Sequence, residues 1–416
     1  MTDLPRIDPE RFPHPGDTVA VRVRPAAERA LRSGHPWLFE DKVVSLSRPA
    51  EAGDVAVVFD AKGRFLAAGL YDPESAIRVR AMVHGSSATI GEELFRDRIA
   101  RALGLRGQVA SRETTAFRVL NGANDGTPGL VADLYDRTLV LQLFTVGWLP
   151  HLRSLLPAFQ ALLAPERVLL LLAGRVAASE RCPPEMAGGG VLYGTAPDGG
   201  VPFLETGLRF EAHPFQGHKT GFYLDQRANR RTLADHAEGA RVLNVFSYTG
   251  GFSLYAARAG AREVVSVDMA RPALAQAERH FELNAADPGV AACQHRTMCG
   301  DAFQVMEELG GGGERFDVVV VDPPSFARSE AQRRRALGAY GKLTGLALRL
   351  LGQGGLLVQA SCSSRVGADE FFREVGKAAR SAGRTLEELE RTGHPPDHPV
   401  TFPEGAYLKC LWARVG

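Results

Sequence analysis

From residue 206 onward the chain alternates between short apolar runs and helical stretches with a regularity that few folds accommodate. Strand-like runs at 242 to 246, 263 to 267, 316 to 321 and 355 to 360 are each followed by a helix, beginning near 252, 271, 331 and 368. Strands joined through helices run parallel, and parallel strands are covered on both faces, so they read as unbroken aliphatic runs rather than as alternation. Val318-Val319-Val320-Val321 and Leu356-Leu357-Val358 read that way. The pattern predicts an α/β, doubly wound parallel sheet. In such a sheet ligands bind in a crevice beyond the C-terminal strand ends, so the residues just after each run carry the functional information.

At 416 residues the chain is long enough for two or three domains. Residues 17–90 read as a small β domain, with strands at Thr18 to Val23, Val55 to Phe59, Phe65 to Leu70 and Ile77 to Val83. Asp60-Ala61-Lys62-Gly63 forms the loop of a hairpin, and a helix spans Ala26 to Arg32, stopped by Ser33-Gly34. In the last strand Arg78 and Arg80 alternate with Ile77, Val79 and Ala81, which puts two guanidiniums on one face, either solvated or facing nucleic-acid phosphates. Residues 91–205 read as a central α+β domain, with an Arg-rich helix (Arg96, Arg98, Arg101), a helix at Leu152 to Leu163 and strands around 117 to 120, 139 to 144 and 168 to 172. The third domain, 206–416, holds the alternating sheet.

Bulk composition excludes several classes. A formal net charge of +1 rules out a globally basic binder, so nucleic acid would be met by local patches. The cysteines Cys182, Cys293, Cys299, Cys362 and Cys410 form no C-x-x-C pair and no zinc spacing, which predicts neither disulfides nor a bound metal. No apolar stretch reaches bilayer length and the N-terminus lacks a signal-peptide core, so the chain reads as cytoplasmic, with no membrane partner.

The first strand of the sheet, Val242-Leu243-Asn244-Val245-Phe246, leads into Ser247-Tyr248-Thr249-Gly250-Gly251-Phe252 and an apolar helix. Glycines at that turn let a ligand approach the backbone closely. The run is not G-x-G-x-x-G and is shorter than a pyrophosphate cradle requires. About 20 residues on, the second strand ends in Asp268, where an acid binds ribose hydroxyls in nucleotide-binding sheets. A glycine turn without phosphate chemistry beside a ribose acid fits S-adenosylmethionine better than NAD. Candidate cofactor contacts are therefore Asn244, Ser247, Tyr248, Thr249, Gly250, Gly251, Phe252 and Asp268, with Asp322 bordering the same crevice. Asp301 can accept from an adenine amino group, and equally serves as a helix N-cap. In the polar run from Gln216 to Arg230, Gln226 or Arg227 can hold the methionine carboxylate or simply cap a helix start.

The third and fourth runs end in Asp322-Pro323-Pro324-Ser325-Phe326 and Ser361-Cys362-Ser363-Ser364. A strand-end thiol opposite a strand-end acid points to pyrimidine chemistry. Cytosine C5 is a poor nucleophile, but thiolate addition at C6 makes it enamine-like and splits one hard step into two. Cys362 is the candidate nucleophile, Asp322 would hold the N3/N4 edge of the base, Pro323-Pro324 would stiffen the loop, and Phe326 is available to stack on the ring. Arg328, followed by Arg333, Arg334 and Arg335, sits where guanidiniums could meet RNA phosphates or line a solvated helix face.

Asp322-Pro-Pro-Ser-Phe, Ser361-Cys362-Ser, Asn244-Val-Phe-Ser-Tyr-Thr-Gly-Gly-Phe and Lys219-Thr-Gly-Phe-Tyr-Leu-Asp-Gln-Arg together resemble the RlmI family of 23S rRNA cytosine-5 methyltransferases. Asp397-His398-Pro399-Val400, Pro403 to Lys409 and His35-Pro36-Trp37 extend the resemblance over nearly the whole chain. It implies an N-terminal PUA domain, a central α+β domain and a class I methyltransferase domain with a Rossmann-like sheet. It also implies S-adenosylmethionine as cofactor, 23S ribosomal RNA as partner, Cys362 as nucleophile, and Asp268, Asp301 and the Ser247 to Phe252 turn as cofactor contacts. The wider RNA cytosine-5 methyltransferases carry a second cysteine after the acid and proline; here Ser325 follows Asp322-Pro-Pro, so the base that removes the C5 proton is unassigned, with a water or Asp322 itself as alternatives. Two other functions stay open at this point: an N-methyltransferase acting without a covalent adduct, and an RNA-binding assembly protein with a degenerate methyltransferase domain. Whether the chain forms a homodimer is also open.

Overall fold

The computed structural model describes residues 4–14, 16, 18–327 and 329–416; Arg328 lies outside them. By packing, the chain divides into two compact units, one comprising Met1–Gly207, Glu211–Leu224 and Pro396–Phe402, the other Leu208–Phe210, Asp225–Pro395 and Pro403–Gly416.

The first unit contains two sheets. One has six strands in the order Trp37–Phe39, Ile77–His84, Phe65–Tyr71, Val55–Phe59, Val19–Val23 and Val43–Leu46, with only Val19–Val23 and Val55–Phe59 paired in parallel. All four expected strands and the helix Pro25–Arg32 appear within a residue of their predicted bounds. The short strands Trp37–Phe39 and Val43–Leu46 do not follow from sequence pattern, because runs of three or four residues carry too little periodicity. The other sheet has five strands, ordered Gly190–Tyr193, Arg167–Leu172, Thr138–Leu143, Leu130–Tyr135 and Ala116–Asn121. Leu70 and Met82 from the first sheet share one apolar cluster with Val119, Leu141 and Trp148 from the second region, so the two sheets are parts of one core.

The Arg78 and Arg80 stripe is corrected by the structure. Arg80 is only 3% exposed, donating to Ser75 Oγ and Ile77 O and pairing with Asp72 at 3.5 Å. Arg78 pairs with Glu40 at 2.5 Å and donates to the carbonyls of Asp72 and Pro73. Both guanidiniums are taken up by acceptors of their own domain, where they tie the 72–77 turn to its strand.

Arg106, at the end of the helix Glu92–Arg106, is fully buried and forms a two-pronged pair with Asp125, Nη1 to Oδ1 at 2.8 Å and Nη2 to Oδ2 at 2.5 Å. Its remaining donors reach the carbonyls of Ala102, Arg118 and Asp397. Removing one member of such a pair strands a charge in low dielectric, whereas replacing both with apolar groups does not. Asp125→Ala is therefore expected to lower unfolding stability by about 3–5 kcal/mol. Urea denaturation of that variant beside the Arg106→Met/Asp125→Leu double variant checks this, the double variant recovering most of the loss.

The second unit holds a seven-stranded sheet. Its strands are β1 (Arg241–Val245), β2 (Glu263–Asp268), β3 (Gln294–Cys299), β4 (Phe316–Val321), β5 (Leu351–Ser361), β6 (Leu386–Thr392) and β7 (Lys409–Val415), in the order β3-β2-β1-β4-β5-β7-β6. The first five are parallel; β7 runs antiparallel to both β5 and β6. The expected all-parallel sheet is thus a mixed one. Helices α1 (Arg227–Ala234), α2 (Gly251–Arg258), α3 (Arg271–Leu283), α4 (Ala302–Gly311), α5 (Arg333–Leu350) and α6 (Ala368–Ser381) connect and cover it. β6, Leu-Glu-Glu-Leu-Glu-Arg-Thr, carries charge as a protected edge does and has no apolar run to announce a strand.

A buried polar chain crosses the sheet beneath β1. Asn244 Nδ2 donates to Ser253 Oγ at 2.9 Å, Ser253 Oγ meets Ser266 Oγ at 2.7 Å, and Ser266 Oγ meets His295 Nε2 at 2.9 Å. His295 is stacked on Phe281 with centroids 3.7 Å apart, and burial pulls its pKa down to about 4. Between about 6.5 and 4 the unfolded chain takes a proton there that the folded chain refuses. Stability from this group is present above pH 6.5 and lost as pH falls toward 4. Relative to His295→Gln, the wild-type unfolding free energy is expected to drop by roughly 1–3 kcal/mol over that window, as pH-dependent denaturation would measure.

Candidate active site

Parallel pairing aligns the strand ends. Val245 of β1 lies opposite Val267 of β2 and Val321 of β4, and Val321 lies opposite Gln359 of β5. Phe246, Asp268, Asp322 and the Ser361-Cys362 segment therefore emerge along one edge of the sheet.

At the β1 end the chain makes a tight turn into α2. Phe246 (φ 61°) and Tyr248 (φ 47°) occupy left-handed backbone, a conformation costing about 1–3 kcal/mol per residue that side-chain-bearing residues adopt only where surroundings impose it. Two hydrogen bonds impose it here, Ser247 N to Val267 O at 2.9 Å and Tyr248 N to Asp268 Oδ2 at 2.8 Å. Gly250 (φ 74°) caps α2, and a Cβ there would lie 2.7 Å from Ala277 Cβ, so only glycine lets the turn close onto α3. Gly251 and Phe252 begin α2 as buried residues.

Three buried oxygens at the end of β1 and in this turn lack a hydrogen-bond partner among the described residues: Asn244 Oδ1, Ser247 Oγ and Thr249 Oγ1, on side chains no more than 7% exposed. Buried polar atoms are almost always satisfied, so orphans clustered on one turn fit a ligand that brings its own amine and hydroxyl groups. Asp268 is half-buried; it accepts from Tyr248 N and from Ala270 N, and its carboxylate retains lone pairs for diol hydroxyls. Asp301 caps α4, with Oδ1 accepting from Phe303 N and Gln304 N. Both functions foreseen for Asp301 are compatible, since the cap uses one oxygen. Gln226, buried, closes a one-turn helix ahead of α1 and accepts from Asn229 Nδ2 at 2.6 Å, and Arg227 opens α1 at 7% exposure.

Around the thiol, Cys362 is half-buried just past β5, and its Sγ lies 3.7 Å from Pro323 O, the carbonyl next to Asp322. Burial pushes the thiols of Cys410, Cys293 and Cys182 upward, that of Cys293 to about 11 and that of the fully buried Cys410 well above the ordinary range. Asp322 is half-buried at the end of β4, and Pro323 is buried while Pro324 faces outward. Tyr340 of α5, buried, accepts from Ser361 Oγ at 2.8 Å, and burial raises its phenol further.

Phe326, expected to be available for stacking on the base, is half-buried. Its ring packs against Phe246 and Tyr340, with centroids at 6.4 and 5.2 Å, and borders the core of the sheet. Arg333 is paired with Glu330 and Glu370, while Arg334 and Arg335 are exposed. Sequence pattern did not single out Tyr340 or Lys409 as site residues. Lys409 opens β7 opposite Ser361, buried, with Nζ donating to the carbonyls of Ser363, Val366 and Tyr407. A lone lysine between Leu408 and Cys410 was the available signal. A separate cleft lined by Asp235, Arg262, Asp317 and Leu356 opens at the N-terminal strand ends and contains none of these groups. Among the described residues no group of His, Cys, Asp and Glu could hold a metal ion, and no helix is long and apolar enough to cross a membrane.

A family profile described as S-adenosylmethionine-dependent methyltransferase matches residues 152–414, and one described as a PUA-like domain matches residues 21–83. A ribosomal RNA large subunit methyltransferase of Deinococcus radiodurans is 45% identical over 400 residues, spanning 95% of this chain and 97% of its own length. A ribosomal RNA large subunit methyltransferase I of Alteromonas mediterranea is 37% identical, over 95% of this chain and 98% of its own. Among solved structures, a Streptococcus mutans protein assigned as a SAM-dependent methyltransferase superposes with a TM-score of 0.80 at 23% identity, covering 95% of this chain and 99% of that one. A methyltransferase crystallised with SAH gives the same TM-score and identity, over 96% of this chain and all of its own. S-adenosylmethionine is accordingly the cofactor to which the orphaned oxygens and Asp268 are suited. The chain belongs to the S-adenosylmethionine-dependent methyltransferases, in the family of the ribosomal RNA large subunit methyltransferases I.

Proposed function

We propose that this protein methylates C5 of a cytidine in 23S ribosomal RNA, in the cytoplasm, through a covalent bond between Cys362 and C6 of the base. The observation that carries the proposal is the half-buried Cys362 thiol beside the Asp322-Pro323 strand end, on the same sheet edge as the turn with orphaned oxygens. A site that methylates a base nitrogen would need only the acid and the cofactor turn; the thiol has no use in it.

The chain's groups divide the work as follows. The bound cofactor supplies an electrophilic methyl group. Asn244, Ser247, Thr249, Asp268 and Asp301 hold its polar edges, and Gln226 or Arg227 takes its carboxylate. Cys362 Sγ, as thiolate, would add to C6 and shift the C5–C6 electron pair onto C5, which would take the methyl carbon as its bond to the cofactor's sulfonium sulfur breaks and leaves a neutral thioether. Asp322 donates or accepts at the N3/N4 edge and stabilises the charge that develops there. A water or Asp322 removes the C5 proton, and the returning electron pair expels the thiolate from C6. Pro323 keeps Asp322 in place, and Arg334 and Arg335, whose exposure supports such a role, take RNA phosphates. Residues 17–90, 91–205 and 206–416 act as the PUA-like, central and methyltransferase parts.

Cys362→Ala is expected to lower methyl transfer by at least about a thousandfold, the scale of losing an activated nucleophile, with S-adenosylmethionine affinity within about twofold of wild type. Wild-type protein incubated with RNA carrying 5-fluorocytidine is expected to retain a denaturation-resistant adduct, because the C5 fluorine cannot leave as a proton does. Methyl transfer without any adduct on that RNA would overturn the covalent route in favour of direct transfer to a base nitrogen.

A further inference from the structure

Lys409 is buried at 6% exposure, and its three ammonium protons are directed at three backbone carbonyls. Two of these, Ser363 O and Val366 O, belong to the loop immediately following Cys362; the third, Tyr407 O, belongs to the approach to β7. Burying an ammonium among neutral carbonyls is costly unless a negative charge offsets it. No carboxylate pairs with Lys409 among the described ion pairs, and the ionisable group acting on it is Cys362. Burial lowers the Lys409 pKa to about 8, so its charge is held against its surroundings.

Other ionisable groups surround the Cys362 and Asp322 strand ends. Asp322 comes from the end of β4, Tyr340 from α5 and Cys410 from β7. A carboxylate at Asp322 would by its like charge disfavour a thiolate beside it, Tyr340 is kept neutral by burial, and Cys410 is a buried thiol whose pKa burial raises. Lys409 is the cation in this set. With all three donors engaged, Nζ has no lone pair to offer as the base for the C5 proton.

We propose that Lys409 is a positioning residue, clamping the Ser363–Val366 loop so that the Cys362 thiol faces Asp322, and offsetting with its ammonium the charge of the Cys362 thiolate once the thiol proton has left to solvent. The inference rests on Cys362 being the nucleophile.

The pH dependence of Cys362 alkylation, read by mass spectrometry of its peptide in the full-length protein, tests it. In wild type the midpoint is expected below the ordinary thiol value of about 8.5, and in Lys409→Met at least about one unit higher, with Lys409→Arg in between. In steady-state assays Lys409→Met is expected to reduce kcat about 10- to 100-fold with KM for RNA within about threefold, because the group acts on the nucleophile and not on RNA binding. A wild-type midpoint at or above the ordinary value would overturn the proposal even if Lys409→Met fails to fold. So would a folded Lys409→Met with an unshifted midpoint and wild-type kcat. An absent 5-fluorocytidine adduct in wild type defeats the nucleophile itself; an adduct forming equally fast in wild type and Lys409→Met defeats only the role of Lys409.

Discussion

The common register of β1, β2, β4 and β5 is the constraint on which the site depends. Parallel strands hydrogen-bonded as Val245 with Val267 and Val321, and Val321 with Gln359, must end at nearly the same height. Residues separated by more than a hundred positions along the chain thereby reach one edge, where Asp268, Asp322 and Cys362 meet the glycine turn. A one-residue slip in a strand would send its end residues to the opposite face, and the aliphatic runs on both faces resist that slip. Burial of valines in β1, β2 and β4 is thus what fixes the geometry of the polar groups beyond them.

That edge is less comfortable than the core behind it. Phe246 and Tyr248 hold left-handed backbone, three oxygens at the end of β1 and in the glycine turn are orphaned, and Lys409 keeps a charge out of water. Each costs free energy that the sheet's apolar packing offsets. Such concentration of unfavourable local states is typical of sites whose partners arrive from solution, because the missing contacts are those the ligand supplies. Arg80 and Arg106 show the contrasting case, since each buried guanidinium in the first unit has its acceptors within the chain, and each serves structure.

Much of this was legible in order of hydrophobic strength. β4 and the parallel part of β5 announce themselves as Val and Leu runs, and the helix Leu152–Leu163 falls within its predicted bounds. β6 and β7 escaped notice: the first is a charged edge strand without apolar periodicity, and the second begins with a lysine at a position where charge argues against burial. The Arg78 and Arg80 pair misled for a related reason. Period-two alternation says two side chains share a face but not whether that face is solvated, and here Asp72, Ser75 and Glu40 close over it. The ring contacts of Phe326 with Phe246 and Tyr340 were likewise not legible, because they join different elements.

Sequence by itself determined the sheet class, the glycine turn and the acids and thiol that stand at the strand ends, because strand-forming aliphatic runs and the residues that terminate them are adjacent in the chain. Tertiary structure decided which polar groups are spent on the protein itself and which are left over. Asp301 is used on one oxygen as a cap, Arg80 is consumed within its own domain, and Lys409 is delivered to the loop that follows Cys362. Desolvation and pairing depend on what packs against a side chain from other elements, and no local pattern of residues contains that information.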